Sequence, residues 1–186
     1  MHSDVNGQFG TAGTTWSNGN IFRSLTLLAA TYCEQNGVAI KDALTPENLA
    51  AWMAMLSFGQ INGKFDTRIA GLGLDLLVSE HANTTLKGKM VGGNIPTVAE
   101  VTQGEVVKFA SDACKMMGEA GVTVLLEGRS QTVDYIDSPH RFELTMSDSQ
   151  LIGMRRAAQR IGTTTSFLFC WPFSRIFPAL YTPHAP

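Results

Sequence analysis

What this sequence lacks is more informative at first than what it holds. Its three cysteines, Cys33, Cys114 and Cys170, are widely spaced and form no C-x-x-C pair. That pattern indicates neither a disulfide framework nor a zinc site, and buried thiols in a reducing compartment are the expectation. No run of about 18 apolar residues occurs, so no membrane-spanning helix is expected. Nor does the N-terminus join a basic region to an apolar run, so no secretory leader is expected and the placement is cytoplasmic. Charged residues make up only 16% of the chain and the net charge is −2. This removes the general electrostatic reason to bind nucleic acid or a membrane surface, and any basic site must be local. The phosphate-loop pattern G-x-x-x-x-G-K-[ST] is also absent. The start is rich in glycine (Gly7, Gly10, Gly13, Gly19), but the first lysine is Lys41, and the pairs Gly63-Lys64 and Gly88-Lys89 run on into Phe65 and Met90. The lysine that reaches the β- and γ-phosphates of ATP has no counterpart.

What is present reads as one globular domain. With 186 residues, 44% of them apolar, the chain can bury a substantial core. Residues 1–20 are expected to be loop. Phe22, Leu25, Leu28, Ala29 and Tyr32 recur at helical spacing, predicting a helix over 19–35 stopped by Asn36-Gly37. Thr45-Pro46 is an N-cap followed by a first-turn proline. The helix it opens carries Leu49, Trp52, Met53 and Leu56 and ends at Gly59 or Asn62-Gly63. Residues 64–93 read as a strand-and-loop excursion outside the core. A long amphipathic helix over 97–120 follows, with Val98, Val101, Val106, Phe109, Ala113 and Met117 as its stripe and Gly121 past its end.

The chain is organised around what comes next. Residues 122–126 read as a strand buried on both faces of a parallel sheet, and helix, glycine turn and buried strand in succession are the α/β pattern. This strand stops at Glu127-Gly128-Arg129, and in open α/β sheets ligands bind outside the carboxyl ends of the strands. A second strand is expected over 141–146, with Phe142, Leu144 and Met146 on one face. Ser147 to Gln150 fits a capping box. The helix beyond it has Leu151, Met154, Ala158 and Ile161 on one face and Arg155, Arg156 and Arg160 on the other. That basic face is either solvated or an anion site. Read alone, Arg23 is a solvated first-turn cation. The last 22 residues, from Thr165, hold six of the sixteen aromatics, four of the seven prolines and a single charged residue, Arg175. They read as a non-native ending or a docking segment.

Four segments in order resemble the cytidylate kinase family of P-loop nucleoside monophosphate kinases. Ser17-Asn18-Gly19-Asn20-Ile21-Phe22-Arg23-Ser24 resembles the family's T-G-x-x-Y-R-A segment, and Asn94-Ile95-Pro96-Thr97-Val98 its I-P-x-V stretch. Leu125-Leu126-Glu127-Gly128-Arg129 resembles the V-x-D-G-R-D strand end. Phe142-Glu143-Leu144-Thr145, Ser147 and Arg155-Arg156 resemble the run into the lid. The match covers residues 16–162 and implies a P-loop NTPase-type parallel sheet flanked by helices, with a monophosphate-binding excursion and a mobile lid. The implied reaction is transfer of the γ-phosphoryl group of ATP, with Mg²⁺, to CMP or dCMP.

Position by position, the resemblance implies that Arg23 and Arg129 clamp the monophosphate of CMP and that Arg155 and Arg156 stabilise the transferring group. Glu127 would stand near Mg²⁺, and Ser130 replaces the family's cytosine-selecting aspartate. The family's first strand, phosphate loop and first helix, about 25 to 30 residues on the doubly wound pattern, have no counterpart in this sequence. The expectation is therefore an incomplete kinase, inactive as it stands. The alternatives are an inactive nucleotide-binding paralogue or partner subunit, and an interaction protein acting through its aromatic tail.

Overall fold

Residues expected to be loop before the first helix instead form a strand, β1 (Gly13–Ser17). Two threonines and Trp16 suit a pleated surface, and a parallel partner far along the chain supplies the ladder. In the structure, a computed structural model, residues 13–145, 148 and 150–165 are described, without the side chains of 156 and 159–165. The chain divides into two units, one reaching Pro139 and the other beginning at His140.

The first unit is mixed α/β. After β1 come α1 (Asn18–Asn36), α2 (Ile40–Ala43) and α3 (Pro46–Ala54), then β2 (Leu56–Ile61), β3 (Lys64–Gly71) and β4 (Leu74–Leu77). α4 (Val78–His81) and a 3₁₀ turn (Thr85–Lys87) lead into α5 (Lys89–Val101), α6 (Gln103–Glu119), β5 (Thr123–Glu127) and α7 (Ser130–Val133).

α1 is the helix the periodicity predicts. Leu25, Leu28 and Ala29 of its stripe are fully buried, and Phe22 and Tyr32 are half-buried against the core. Gly37 ends it in the left-handed conformation, φ 63, with its N–H bonded to the Cys33 carbonyl. α1 packs on α2, α3, α5 and α6, so truncating Leu28 to alanine would cost about 2–5 kcal/mol.

The second predicted helix starts as expected, with Thr45 Oγ1 accepting from Asn48 N at 3.3 Å, but it ends at Ala54. Residues expected to continue it form β2. Asn62-Gly63, expected as a helix stop, is a two-residue hairpin turn with φ 51 and 79, the primed geometry that suits strand twist. β2, β3 and β4 form an antiparallel sheet. Leu56 and Ile69 are buried in its inner face, so the excursion shares in the core rather than standing outside it.

The long predicted helix is two. α5 begins eight residues earlier than expected and runs through Pro96, held by the burial of Val91 and Val98. The break falls at Thr102, whose buried hydroxyl bonds to the Val98 carbonyl at 2.9 Å while its own carbonyl accepts from Val106 N.

β1 and β5 pair in parallel, in register from Gly13 opposite Thr123 to Ser17 opposite Glu127. The expectation that β5 is buried on both faces fails. Leu125 is 48% exposed, and Thr15 and Thr123 on the same face are exposed too. Only the face carrying Trp16, Val124 and Leu126 is covered. There the Trp16 ring meets Phe58 edge-on at 5.2 Å and Phe109 at 6.2 Å, and Phe58 stacks with Phe65 at 5.7 Å.

In the second unit, residues 141–145 form no strand. Phe142 and Leu144 are exposed, so the expected apolar face has nothing to pack on; Met146 and Ser147 lie outside the described residues. α8 (Gln150–Thr165) is opened by Asp148, whose Oδ1 accepts from Gln150 N at 2.9 Å. The aromatic tail from residue 166 lies outside the described residues. Among the described residues no helix is long and apolar enough to cross a membrane.

Candidate functional site

β1 runs into α1 without an intervening loop, so its carboxyl end and the amino end of α1 are the same place. The register sets this junction beside Glu127 and the chain that leaves β5. Ser17 is the N-cap of α1 but makes no side-chain cap bond, and the first turn holds no acid. The first backbone N–H groups of a helix have no partner within it, and here no side chain of the cap takes them up.

Arg23 folds back over this junction. Its Nη1 donates to Asn20 Oδ1 at 3.2 Å. A Cβ placed on Gly19 would lie 3.3 Å from Arg23 Nη1 and 3.5 Å from Ser17 Oγ. The guanidinium therefore lies over Gly19, beside the Ser17 hydroxyl, in space that a side chain at 19 would crowd.

Beneath lies Asn18, 1% exposed. Trp16 Nε1 donates to Asn18 Oδ1 at 2.8 Å, and because an indole only donates, this fixes which end of the amide is which. Asn18 Nδ2 is then left buried without an acceptor. It faces the turn that follows β5. A Cβ on Gly128 would approach Val133 Cγ1 at 2.7 Å, Asn18 Nδ2 at 3.1 Å and Thr132 Oγ1 at 3.2 Å. Only glycine allows the turn to sit this close to Asn18. The turn is tied through the Arg129 carbonyl, which accepts from Thr132 Oγ1 and Thr132 N, both at 2.9 Å, and from Val133 N. The main chain at Arg129 is thus held, while its side chain, like those of Glu127 and Ser130, is exposed.

Four of the six residues expected to bind or act, Arg23, Glu127, Arg129 and Ser130, thus belong to the segments that meet at one end of the β1–β5 pair. Arg155 and Arg156 lie on α8 in the second unit; Arg155 is exposed, and the Arg156 side chain lies outside the described residues. Asn18 escaped the sequence reading as a site residue. Its one signal was position, directly after a T-T-W-S strand and before the glycine that Arg23 covers.

Glu127 is a lone exposed carboxylate, and no three His, Cys, Asp or Glu side chains gather among the described residues. One exposed carboxylate does not make an all-protein cation cage. A cavity of about 430 Å³ lies elsewhere, between α3 and α6, lined by Pro46, Leu49, Met53 and Phe109 among others. None of the residues expected to bind or act lines it.

No protein-family model matches the chain, and no curated protein does either.

Proposed function

We propose that this chain carries the acceptor-binding half of a cytidylate kinase-like phosphotransferase and holds a pyrimidine nucleoside monophosphate at the carboxyl end of β1 and β5. One observation carries the reading: Arg23 lies over Gly19 at the end of β1, and the β1–β5 register puts that end beside Glu127-Gly128-Arg129. Guanidinium groups are the planar, permanently charged partners that phosphate oxygens take bidentately. In the reaction of the family this chain resembles, the γ-phosphoryl group of ATP passes to an oxygen of the CMP phosphate, giving CDP and ADP. Catalysis of such a transfer is mostly positioning and charge neutralisation.

Arg23 and Arg129 would hold the acceptor phosphate, Ser130 would meet the base through its hydroxyl, and Arg155 and Arg156 would belong to the lid. Mg²⁺, when bound with ATP, neutralises charge on the transferring phosphates, and Glu127 is the residue that would approach it. The donor side needs a backbone cradle and lysine that the sequence does not contain. The chain by itself is therefore expected to bind CMP without turning over ATP.

Calorimetric titration of the full chain with CMP tests this. Arg129→Ala should weaken CMP binding about 10-fold or more, the value of one charge-assisted contact. A wild-type chain that binds no CMP, or an unaltered affinity in Arg129→Ala, overturns the acceptor reading. CMP-dependent ATP turnover that Arg129→Ala abolishes overturns the expectation of inactivity.

A further inference from the structure

Four asparagine–glycine pairs occur in the chain: Asn6-Gly7, Asn18-Gly19, Asn36-Gly37 and Asn62-Gly63. Such a pair can modify itself, because the glycine nitrogen, unhindered by a side chain, can attack the asparagine Cγ and expel ammonia. Asn6-Gly7 lies outside the described residues. Among the other three the structure discriminates sharply.

Asn18 is 1% exposed, and its Oδ1 is held by Trp16 Nε1 at 2.8 Å. Reaction there would require the amide to turn out of the core and water to enter. Asn36 is exposed, but both reacting groups are engaged. Its Nδ2 donates to the Tyr32 carbonyl at 2.8 Å, and the Gly37 N–H that would attack donates to the Cys33 carbonyl. Asn62 has neither protection. It stands with Gly63 at the exposed tip of the β2–β3 hairpin. The ladder ends with Ile61 opposite Lys64, and neither the Asn62 amide nor the Gly63 N–H bonds to any described residue. Nothing lies within 4 Å of a Cβ built on Gly63, so no neighbour obstructs the tip.

We propose that Asn62 is a self-modification site, converted to aspartate and isoaspartate, and that the isoaspartate form opens the β2–β3 hairpin. The bond from Gly63 N to Asn62 Cγ forms as the Cγ–Nδ2 bond breaks, and the Gly63 amide proton passes through solvent to the departing ammonia. Water, the only co-reactant, then opens the cyclic imide. Cleavage of the new N–Cγ bond gives aspartate. Cleavage of the original peptide bond gives isoaspartate, whose main chain runs through Cβ and Cγ.

The two products differ in consequence. Aspartate-glycine suits the same primed turn as asparagine-glycine, with φ 51 and 79 at its two central positions. Isoaspartate lengthens the loop by a backbone methylene, and hairpin register is fixed by the loop. Ile61 can then no longer be held opposite Lys64. The strands behind the tip bury Leu56 and Ile69 and stack Phe58 on Phe65, so a change at an exposed turn reaches the core of the first unit. This holds whatever ligand the β1–β5 end takes.

Incubating the full chain at mildly alkaline pH, folded and in urea, and mapping its peptides by mass tests this. In urea Asn18, Asn36 and Asn62 should convert at similar rates. In the folded chain Asn62 should convert about 10-fold or more faster than the other two, whose reaction waits on local opening of α1. Asn18 or Asn36 converting as fast as Asn62 in the folded chain overturns the site. So does an Asn62 that stays intact when folded yet converts in urea. The isoaspartate form, separated by chromatography, is then unfolded in urea beside Asn62→Asp. Its midpoint should fall below that of wild type while Asn62→Asp keeps the wild-type value. An isoaspartate form as stable as wild type overturns the opening of the hairpin.

Discussion

Trp16 and Asn18 stand two residues apart across the β1–α1 junction, joined by a 2.8 Å hydrogen bond from the indole Nε1 to the amide Oδ1, with both side chains buried. Trp16 is the last strand residue but one and Asn18 the first residue of α1, so the direct passage from strand to helix at Ser17 is where indole and amide meet. The bond ties the aromatic group of Phe58, Phe65 and Phe109 to the end of the sheet where the candidate site lies.

Removing the donor should therefore be costly out of proportion to the change in volume. Trp16→Phe would leave Asn18 with both ends of its amide buried and unpaired, at about 1–3 kcal/mol for the newly orphaned oxygen. Urea denaturation measures this directly, and a midpoint equal to wild type would show that the oxygen finds another donor.

Two glycine-to-alanine changes should act in opposite directions. At Gly128 a Cβ meets Val133 Cγ1 at 2.7 Å, so alanine should destabilise by about 1–3 kcal/mol through overpacking and displace the turn bearing Arg129. At Gly93, inside α5, nothing lies within 4 Å of a Cβ, and alanine should stabilise by up to about 1 kcal/mol through helix propensity. Thermal melts of the two variants side by side provide the comparison, and the same sign in both would contradict the close approach at Gly128.

The hairpin of β3 and β4 carries a pH-dependent element. Arg68 donates from Nε and Nη2 to the two carboxylate oxygens of Asp75 at 2.7 and 2.6 Å. These bonds hold the Asp75 carboxyl below its ordinary range. A carboxyl that ionises at lower pH when folded than when unfolded favours the fold above its unfolded value, and loses that contribution as pH falls through its folded value. Arg68→Gln should return the Asp75 midpoint to the usual aspartate range and flatten the acid side of the stability profile. Carboxyl chemical shifts followed through an acid titration report it, and an unmoved midpoint would refute the coupling.

The features legible in the sequence were those set by local chemistry. The 3.6-residue stripe and Gly37 marked α1, Thr45-Pro46 marked the start of α3, and Glu127-Gly128-Arg129 marked the end of β5. What escaped depended on partners distant in the chain. β1 looks like loop until β5 lies beside it, and Pro96 looks like a helix start until Val91 and Val98 bury α5 on α1. Asn62-Gly63 serves equally as a helix stop or a hairpin turn, and only the pairing of β2 with β3 decides between them. The apolar run 122–126 promised a strand covered on both sides, whereas Leu125 is 48% exposed because the described residues pack on the other face of the pair. At the candidate site the arginines were legible as charges. Asn18 was not, since its significance lies in an empty hydrogen-bond position that no residue type announces.

The parallel pairing of β1 with β5 also dictates when the site comes into being. Ser17 and Glu127 are cross-strand partners separated by nearly the whole of the first unit, so their ladder closes a very long loop. Contacts of such separation form late, after local helices and hairpins have shortened the effective chain. A ribosome-bound chain lacking its β5 would have α1 and the hairpins within reach but not the strand end where the candidate site lies. The site is thus assembled by the final closure of the unit, and it is the first thing that local fraying of that five-residue ladder takes apart.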